Sequence, residues 1–171
     1  MRSGSERGTV FFTCVGSAGH VDRTVLLLDS IREFGGELGE CPFWVLDAGA
    51  GAGSSTALAA LGATVVPLTV PSSLGDYLFA RKVSACAKAE ELASGSVDTL
   101  IWLIPECLVV RPPSLLELSP PLSVAVRPVH ISNVGLPAGE PADQPPPREV
   151  THFCLPVLAF RAYMLSSSPA M

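Results

Sequence analysis

A glycine-rich run is the part of the sequence with the most evident chemical use. It reads Val45-Leu-Asp-Ala-Gly-Ala-Gly-Ala-Gly53 and leads from a hydrophobic stretch into a predicted helix. Glycines let a backbone approach a cofactor closely, and a helix N-terminus favours bound negative charge. A nucleotide site of this kind also needs an acid at the end of the next strand, near Thr69, yet residues 48–75 carry no charge. The run therefore predicts either a cofactor loop without its acid or a flexible turn between a strand and a helix.

The same run resembles the first motif of S-adenosylmethionine-dependent methyltransferases. This resemblance implies that the turn from Gly49 to Gly53 contacts adenosylmethionine. It supplies one alternative function, that of a methyltransferase, which a binding assay with adenosylmethionine would test.

A hydrophobic stretch that runs into an acidic residue is the second candidate. It reads Ile101-Trp-Leu-Ile-Pro-Glu-Cys-Leu-Val-Val-Arg-Pro-Pro113 and follows an opening segment, Phe11-Phe-Thr-Cys-Val-Gly16. Together with residues 27–36, 79–83 and 127–135, these segments resemble the nucleotide-diphospho-sugar transferases of the GT-A fold. The resemblance covers residues 9–140 and rests on order and context. It implies a GT-A-like nucleotide-binding half in a glycosyltransferase-like protein that binds a nucleotide sugar.

The resemblance also implies a divalent cation. In the family, an Asp-x-Asp pair after this strand holds Mn²⁺ or Mg²⁺, which neutralises the leaving diphosphate. Here Ile104 stands at the first position and Glu106 at the second, with Pro105 between them. Isoleucine cannot ligate a cation, so Glu106 is predicted either as a lone metal ligand or as a solvated acid at a strand end. The acid pair is degenerate, and the part of the chain that would bind the acceptor sugar is short. We therefore expect weak or absent sugar transfer.

Further site residues follow from the same resemblance. Thr13 and Gly16, at the end of the first strand, are expected to bind the nucleotide together with Arg81 and Lys82. An arginine there can bind two phosphate oxygens at once. The other interpretation of the two basic residues is a solvated helix face whose alkyl stems cover apolar neighbours. A predicted substrate-facing loop carries His130 and Asn133.

These residues need a scaffold in which strands and helices alternate. Apolar periodicity and turn residues predict strands over 9–15, 43–46, 63–70, 99–104, 123–129 and 153–160. Helices are predicted over 20–34, from a cap at Ser54 or Ser55 through residue 61, over 76–93 and over 114–118. The alternation predicts an α/β, Rossmann-like and mostly parallel sheet of six or seven strands, with ligands at the carboxyl ends of the strands.

Composition limits the class of protein. The 171 residues are 48% hydrophobic and 16% charged, with a net charge of −5. This excludes a disordered polyampholyte and argues against a nucleic-acid partner. The polar N-terminus and the interrupted apolar run at 99–110 predict neither a signal peptide nor a membrane span. Five cysteines without a Cys-x-x-Cys pair predict reduced thiols in a cytoplasmic protein.

The chain is predicted to be a single GT-A-like domain over residues 1–171. Within it we expect a flexible N-terminus at 1–8, a loop at 137–150 that is rich in proline, and a flexible tail at 165–171. An apolar sheet edge beside this loop leaves one more alternative, a non-catalytic interaction module. Such a module could pair with a partner or with itself, as a homo-oligomer.

Overall fold

The computed structural model describes residues 8–74, 77, 79–118, 121–126 and 157–161. Its strands are β1 (Gly8–Val15), β2 (Phe43–Asp47), β3 (Thr64–Pro67), β4 (Val97–Leu103), β5 (Val124–Val126) and β6 (Val157–Arg161). Its α-helices are α1 (Val21–Phe34), α2 (Ala52–Ala60) and α3 (Ala80–Ala93). Short 3₁₀ turns lie at Ala18–His20, Gly36–Glu40, Ser72–Leu74 and Ser114–Leu116.

The strands form one sheet in the order β3-β2-β1-β4-β6-β5. The first four are parallel, with Phe11 opposite Phe43 and Phe12 opposite Trp102. Strand β6 runs antiparallel to both β4 and β5. The predicted α/β, mostly parallel sheet with flanking helices is confirmed, and the described residues contain six strands. The antiparallel direction of β6 was not apparent in the sequence pattern.

Side chains that alternate along β1 build a core on each face of the sheet. Phe11 and Val15 pack with the apolar residues of α1 and with Leu58 of α2. Val10 and Phe12 point to the other face, against the alanines of α3. There the rings of Phe12 and Trp102 meet edge to face, with centroids 5.2 Å apart. Because β1 and β4 are buried on both faces, their sequences are continuous hydrophobic runs.

The placement of the helices creates a switch in the direction of winding. Helices α1 and α2 cover one face of the sheet, whereas α3 covers the other. From β1 the chain winds outward through β2 and β3, and then returns across the sheet to β4, on the other side of β1. The crevice between the carboxyl ends of β1 and β4 is therefore the point where open α/β sheets bind ligands.

Several predicted boundaries move. Helix α2 begins after Gly51, so Ser54 and Ser55 lie within it and do not cap it, because the Ser55 hydroxyl instead bonds the Asp47 carboxylate. Helix α3 begins at Ala80 rather than at residue 76. The short helix predicted over 114–118 is a single 3₁₀ turn. Gly8, in the segment predicted to be flexible, is the first residue of β1. Residues 1–7, the loop at 137–150 and the tail at 165–171 lie outside the described residues.

Candidate functional site at the ends of β1 and β4

Two turns and the start of one helix meet at the switch point. Gly16 follows β1 directly, and a turn closed by the hydrogen bond from Cys107 N to Ile104 O (3.0 Å) follows β4. The first turn of α3 brings Arg81 to the same edge. Three segments that are distant in sequence thus present backbone and charged side chains to one crevice.

Arg81 covers the backbone of Gly16. A Cβ added to Gly16 would overlap Nη1 of Arg81 and lie 3.0 Å from its Cζ. Only glycine, which has no side chain, leaves room for the guanidinium in this position. The Arg81 side chain is exposed and forms no ion pair within the described ranges. Its five N–H donors are therefore available to an anion that enters the crevice.

Lys82 is directed differently from its neighbour. Its Nζ lies 5.5 Å from the centroid of the Phe79 ring, in a cation–π contact, and its side chain is half-buried. The Phe79 ring also meets the Tyr77 ring edge to face, at 5.9 Å. Lys82 adds positive charge to this end of α3 but is already held by an aromatic ring.

His20 belongs to this edge, although the sequence pattern suggested only a residue near a helix start. Its Nδ1 accepts a long hydrogen bond of 3.4 Å from the Gly16 amide and lies 3.5 Å from the Ser17 hydroxyl. A donor held at this distance is weakly engaged. The spacing of four residues between a glycine at a strand end and a histidine at the following helix could have signalled the contact.

Thr13 lies in the core and not at the crevice. Its side chain is fully buried, and among the described residues its hydroxyl has no hydrogen-bond partner. Alternation along β1 places it on the face of Phe11 and Val15, the side covered by α1 and α2. Its side chain is therefore enclosed in the core, and the nucleotide contact expected of Thr13 stays a prediction.

Glu106 forms an ion pair with Arg23 in the first turn of α1. The Arg23 Nη1 donates to Glu106 Oε1 at 2.7 Å, and the two side chains are 56% and 42% exposed. Pro105 is buried, and Ile104 packs against the core on the α3 face. Nowhere in the described part of the chain do three or more His, Cys, Asp or Glu side chains cluster as metal ligands. The described donors at this turn do not fit the divalent cation that the resemblance implies, because one carboxylate oxygen of Glu106 is engaged by Arg23 and Ile104 supplies none.

The glycine-rich run folds around its own carboxylate. Asp47 Oδ1 accepts hydrogen bonds from the amides of Gly49 (2.9 Å) and Ala50 (2.7 Å), and Oδ2 accepts one from the Ser55 hydroxyl (2.5 Å). Partial burial acts to raise the pKa of Asp47, but these three bonds together outweigh it and lower the pKa below its ordinary value. Gly49 (φ 119°) and Gly51 (φ 95°) supply the left-handed backbone that the turn needs. The turn is thus a satisfied structural unit, and it follows β2 and not β1.

Two cysteines beside the crevice are unreactive. Burial raises the pKa of Cys14 to about 12 and that of Cys86 to about 11. Both thiols remain protonated near neutral pH, so neither is poised to act as a nucleophile.

A cavity of about 320 Å³ opens beside the start of β2, at the opposite end of the strands from the crevice. Phe43, Cys41 and Arg32 are among the residues that line it.

His130 and Asn133 lie outside the described residues, so their predicted substrate-facing role stays a prediction.

Among the described residues no helix combines the length and apolar character required to cross a bilayer.

Comparison with known proteins identifies the fold. No protein-family model and no curated protein sequence matches the chain. Two similar solved structures are the galactosyltransferase LgtC with donor and acceptor sugar analogues and its active-site mutant Q189E. Each has a TM-score of 0.59 and aligns with 92% of this chain, at 15% and 16% identity. The chain spans 59% and 58% of their lengths. The protein therefore has a glycosyltransferase-like GT-A fold.

Proposed function

We propose that the chain is a glycosyltransferase-like domain that binds a nucleotide sugar through its diphosphate, with weak or absent sugar transfer. The observation that carries the proposal is the Arg81 guanidinium, which covers the Gly16 backbone at the β1/β4 switch point and has no carboxylate partner among the described residues. The domain is proposed to be a single unit of the GT-A type.

The chemistry of the crevice suits a diphosphate. A guanidinium donates two parallel N–H bonds to phosphate oxygens, and such charge-assisted bonds are among the strongest in proteins. The Gly16 amide, weakly held by His20 at 3.4 Å, is a second donor at the same point. Lys82 adds charge one residue further along α3. These groups recognise a diphosphate, so a set of nucleoside diphosphates is the appropriate first set of probes.

Weak transfer follows from the acid pair. Sugar transfer from a nucleotide diphosphate to an acceptor hydroxyl releases a diphosphate whose growing charge must be neutralised. Ile104 offers no ligand to a metal ion, and Glu106 is shared with Arg23. The loop that carries His130 and Asn133 is proposed to face the substrate, with no assigned step in the transfer.

The methyltransferase alternative has no structural support in the glycine turn. Asp47 accepts bonds from the amides of Gly49 and Ala50, which a cofactor would otherwise use. The turn also follows β2, whereas the switch point lies between β1 and β4.

A non-catalytic interaction module remains as the second candidate, and exposed apolar side chains favour it. Among the described residues after β4, five large apolar side chains are in contact with solvent: Leu108, Val110, Leu115, Leu122 and Val124. Of the described strands, β5 lies at this edge of the sheet, and an edge strand can pair with another chain. A dimer in light scattering that Leu115→Glu converts to a monomer would support this role.

A cytoplasmic location stays a prediction, based on five cysteines without a Cys-x-x-Cys pair.

Calorimetric titration tests the proposal. Uridine, guanosine and adenosine diphosphates are titrated into the protein, each with Mn²⁺ and without it. At least one should bind, and Arg81→Ala should weaken that binding about tenfold or more, the value of one charge-assisted contact. Arg111→Ala is the matched control, because Arg111 is exposed and lies at the other end of α1 from the crevice. Its neighbour Pro112 lies beside Gly36, just after the C-terminal end of that helix. Absence of binding to all three, or equal losses in both variants, would contradict the proposal.

A further inference from the structure

The Arg23–Glu106 ion pair stands where the resemblance places a divalent cation. The contact of 2.7 Å joins residues 83 positions apart, and it lies at the start of α1, beside the end of β4. The Arg23 guanidinium thus neutralises the Glu106 carboxylate, which would otherwise be free to bind a metal ion.

A buried hydrogen bond fixes the segment that carries Glu106. The Ser30 hydroxyl donates to Leu27 O (2.7 Å) and accepts from the Val109 amide (3.0 Å) in the core. Arg23 and Ser30 are seven residues apart on α1, about 10.5 Å along the axis. Glu106 contacts α1 at Arg23 and Val109 contacts it at Ser30, so the segment between them lies along the helix and holds Glu106 beside Arg23.

The two arginines at this edge of the sheet differ in whether a carboxylate pairs with them. Arg81 has no carboxylate partner in the described ranges, whereas Arg23 has one. Glu106, 42% exposed, is the carboxylate that this structure shows at the end of β4. If a diphosphate enters, Glu106 repels it unless a metal ion lies between the two.

We propose, on the basis of the proposed function, that this crevice binds a nucleoside diphosphate without a divalent cation, through the guanidinium groups of Arg81 and Arg23. Glu106 is a positioning residue in this scheme. It orients Arg23 before a ligand binds and repels the incoming diphosphate. Loss of its charge therefore strengthens binding, which is the opposite of what loss of a metal ligand does.

The test uses uridine diphosphate with the full chain, titrated in excess EDTA and again in Mn²⁺. We expect binding in EDTA that Mn²⁺ does not improve. Glu106→Gln keeps the shape of the side chain and should tighten binding by about threefold to tenfold. Arg23→Gln should weaken it by about tenfold. Glu91→Gln is the control, because Glu91 is also exposed and ion-paired, to Lys88 at 2.9 Å.

The outcomes separate the two proposals. Binding that requires Mn²⁺ and is weakened by Glu106→Gln overturns this inference and leaves the proposed function in place. Binding in EDTA that Glu106→Gln leaves unchanged removes Glu106 from the site. If none of the three nucleoside diphosphates binds in either condition, the proposed function fails and this inference fails with it.

Discussion

The turn after β1 and the turn after β2 both follow a buried parallel strand and both depend on glycine, yet they leave their polar groups in opposite states. After β2, the amides of Gly49 and Ala50 and the Ser55 hydroxyl all bond Asp47. After β1, the Gly16 amide has one long bond to His20, and the Arg81 guanidinium above it has no carboxylate partner in the described part of the chain. The polar groups of the conspicuous glycine motif are thus satisfied within the motif, whereas those beside Gly16 are left largely unpaired among the described residues.

The contrast has a physical lesson. A polar group already paired within the protein has to lose a hydrogen bond before it binds a ligand, and this offsets most of the gain. A group kept unpaired by the fold does not. Substitutions in the turn after β2 should therefore change the stability of the fold. Substitutions in the turn after β1 should instead change the affinity for the diphosphate.

The largest expected effect is on the β2 turn. Asp47→Ala removes the acceptor of three hydrogen bonds and should lower the free energy of unfolding by about 2 kcal/mol in urea denaturation. Asp29→Ala, an exposed acid in the middle of α1, should change it by less than about 0.5 kcal/mol. Equal effects would show that the turn is not held by Asp47.

The same residue predicts a pH dependence. The pKa of Asp47 is lowered in the folded state, despite its partial burial, by bonds from Ser55, Ala50 and Gly49. Its stabilisation is therefore complete above the ordinary pKa of 3.8 and is lost as the pH falls through the lower pKa of the folded state. The difference in stability between wild type and Asp47→Asn should shrink below about pH 4. A difference that stays constant down to pH 2 would contradict this.

A double-mutant cycle sharpens the comparison at the β1 turn. Gly16→Ala places a Cβ against the Arg81 guanidinium and should weaken uridine diphosphate binding by about tenfold, because the guanidinium must move. In the Arg81→Ala background the same substitution should have less than about a twofold effect. Gly53→Ala, in the first turn of α2, is the control, because a Cβ there meets nothing within 4 Å. Additive losses would show that Gly16 and Arg81 act separately.

The smallest effect is expected inside the sheet. Thr13→Val keeps the shape of a fully buried side chain and removes a hydroxyl that has no partner among the described residues. The free energy of unfolding should rise by up to about 1 kcal/mol, and the affinity for uridine diphosphate should stay the same. A loss of affinity would return Thr13 to the nucleotide site.

Local pattern was enough to predict most of the scaffold. The hydrophobic runs of β1, β2 and β4 and the helical spacing in α1 gave elements within two residues of those observed. The start of α3 was placed four residues early, because Asp76 is a favourable residue near a helix N-terminus. The antiparallel direction of β6 depends on pairing with β4, which no local pattern contains.

The site was predicted less completely because its contacts are distant in sequence. The resemblance implies that Gly16 and Arg81 both bind the nucleotide, and the structure brings these two residues together although 65 positions separate them. The Arg23–Glu106 pair spans 83 positions and has no local signal. The Gly49–Gly53 motif looked like a cofactor loop because sequence alone does not show that Asp47 accepts bonds from the Gly49 and Ala50 amides.

Amide chemical shifts test whether the ligand binds at the open turn after β1 and not at the closed turn after β2. In a ¹⁵N–¹H spectrum of the labelled protein, uridine diphosphate is added in excess EDTA and the glycine amides are followed. We expect the resonance of the Gly16 amide to shift together with those of the first turn of α3, while the resonances of the Gly49 and Gly51 amides do not change. Shifts at Gly49 and Gly51 with none at Gly16 would contradict this expectation.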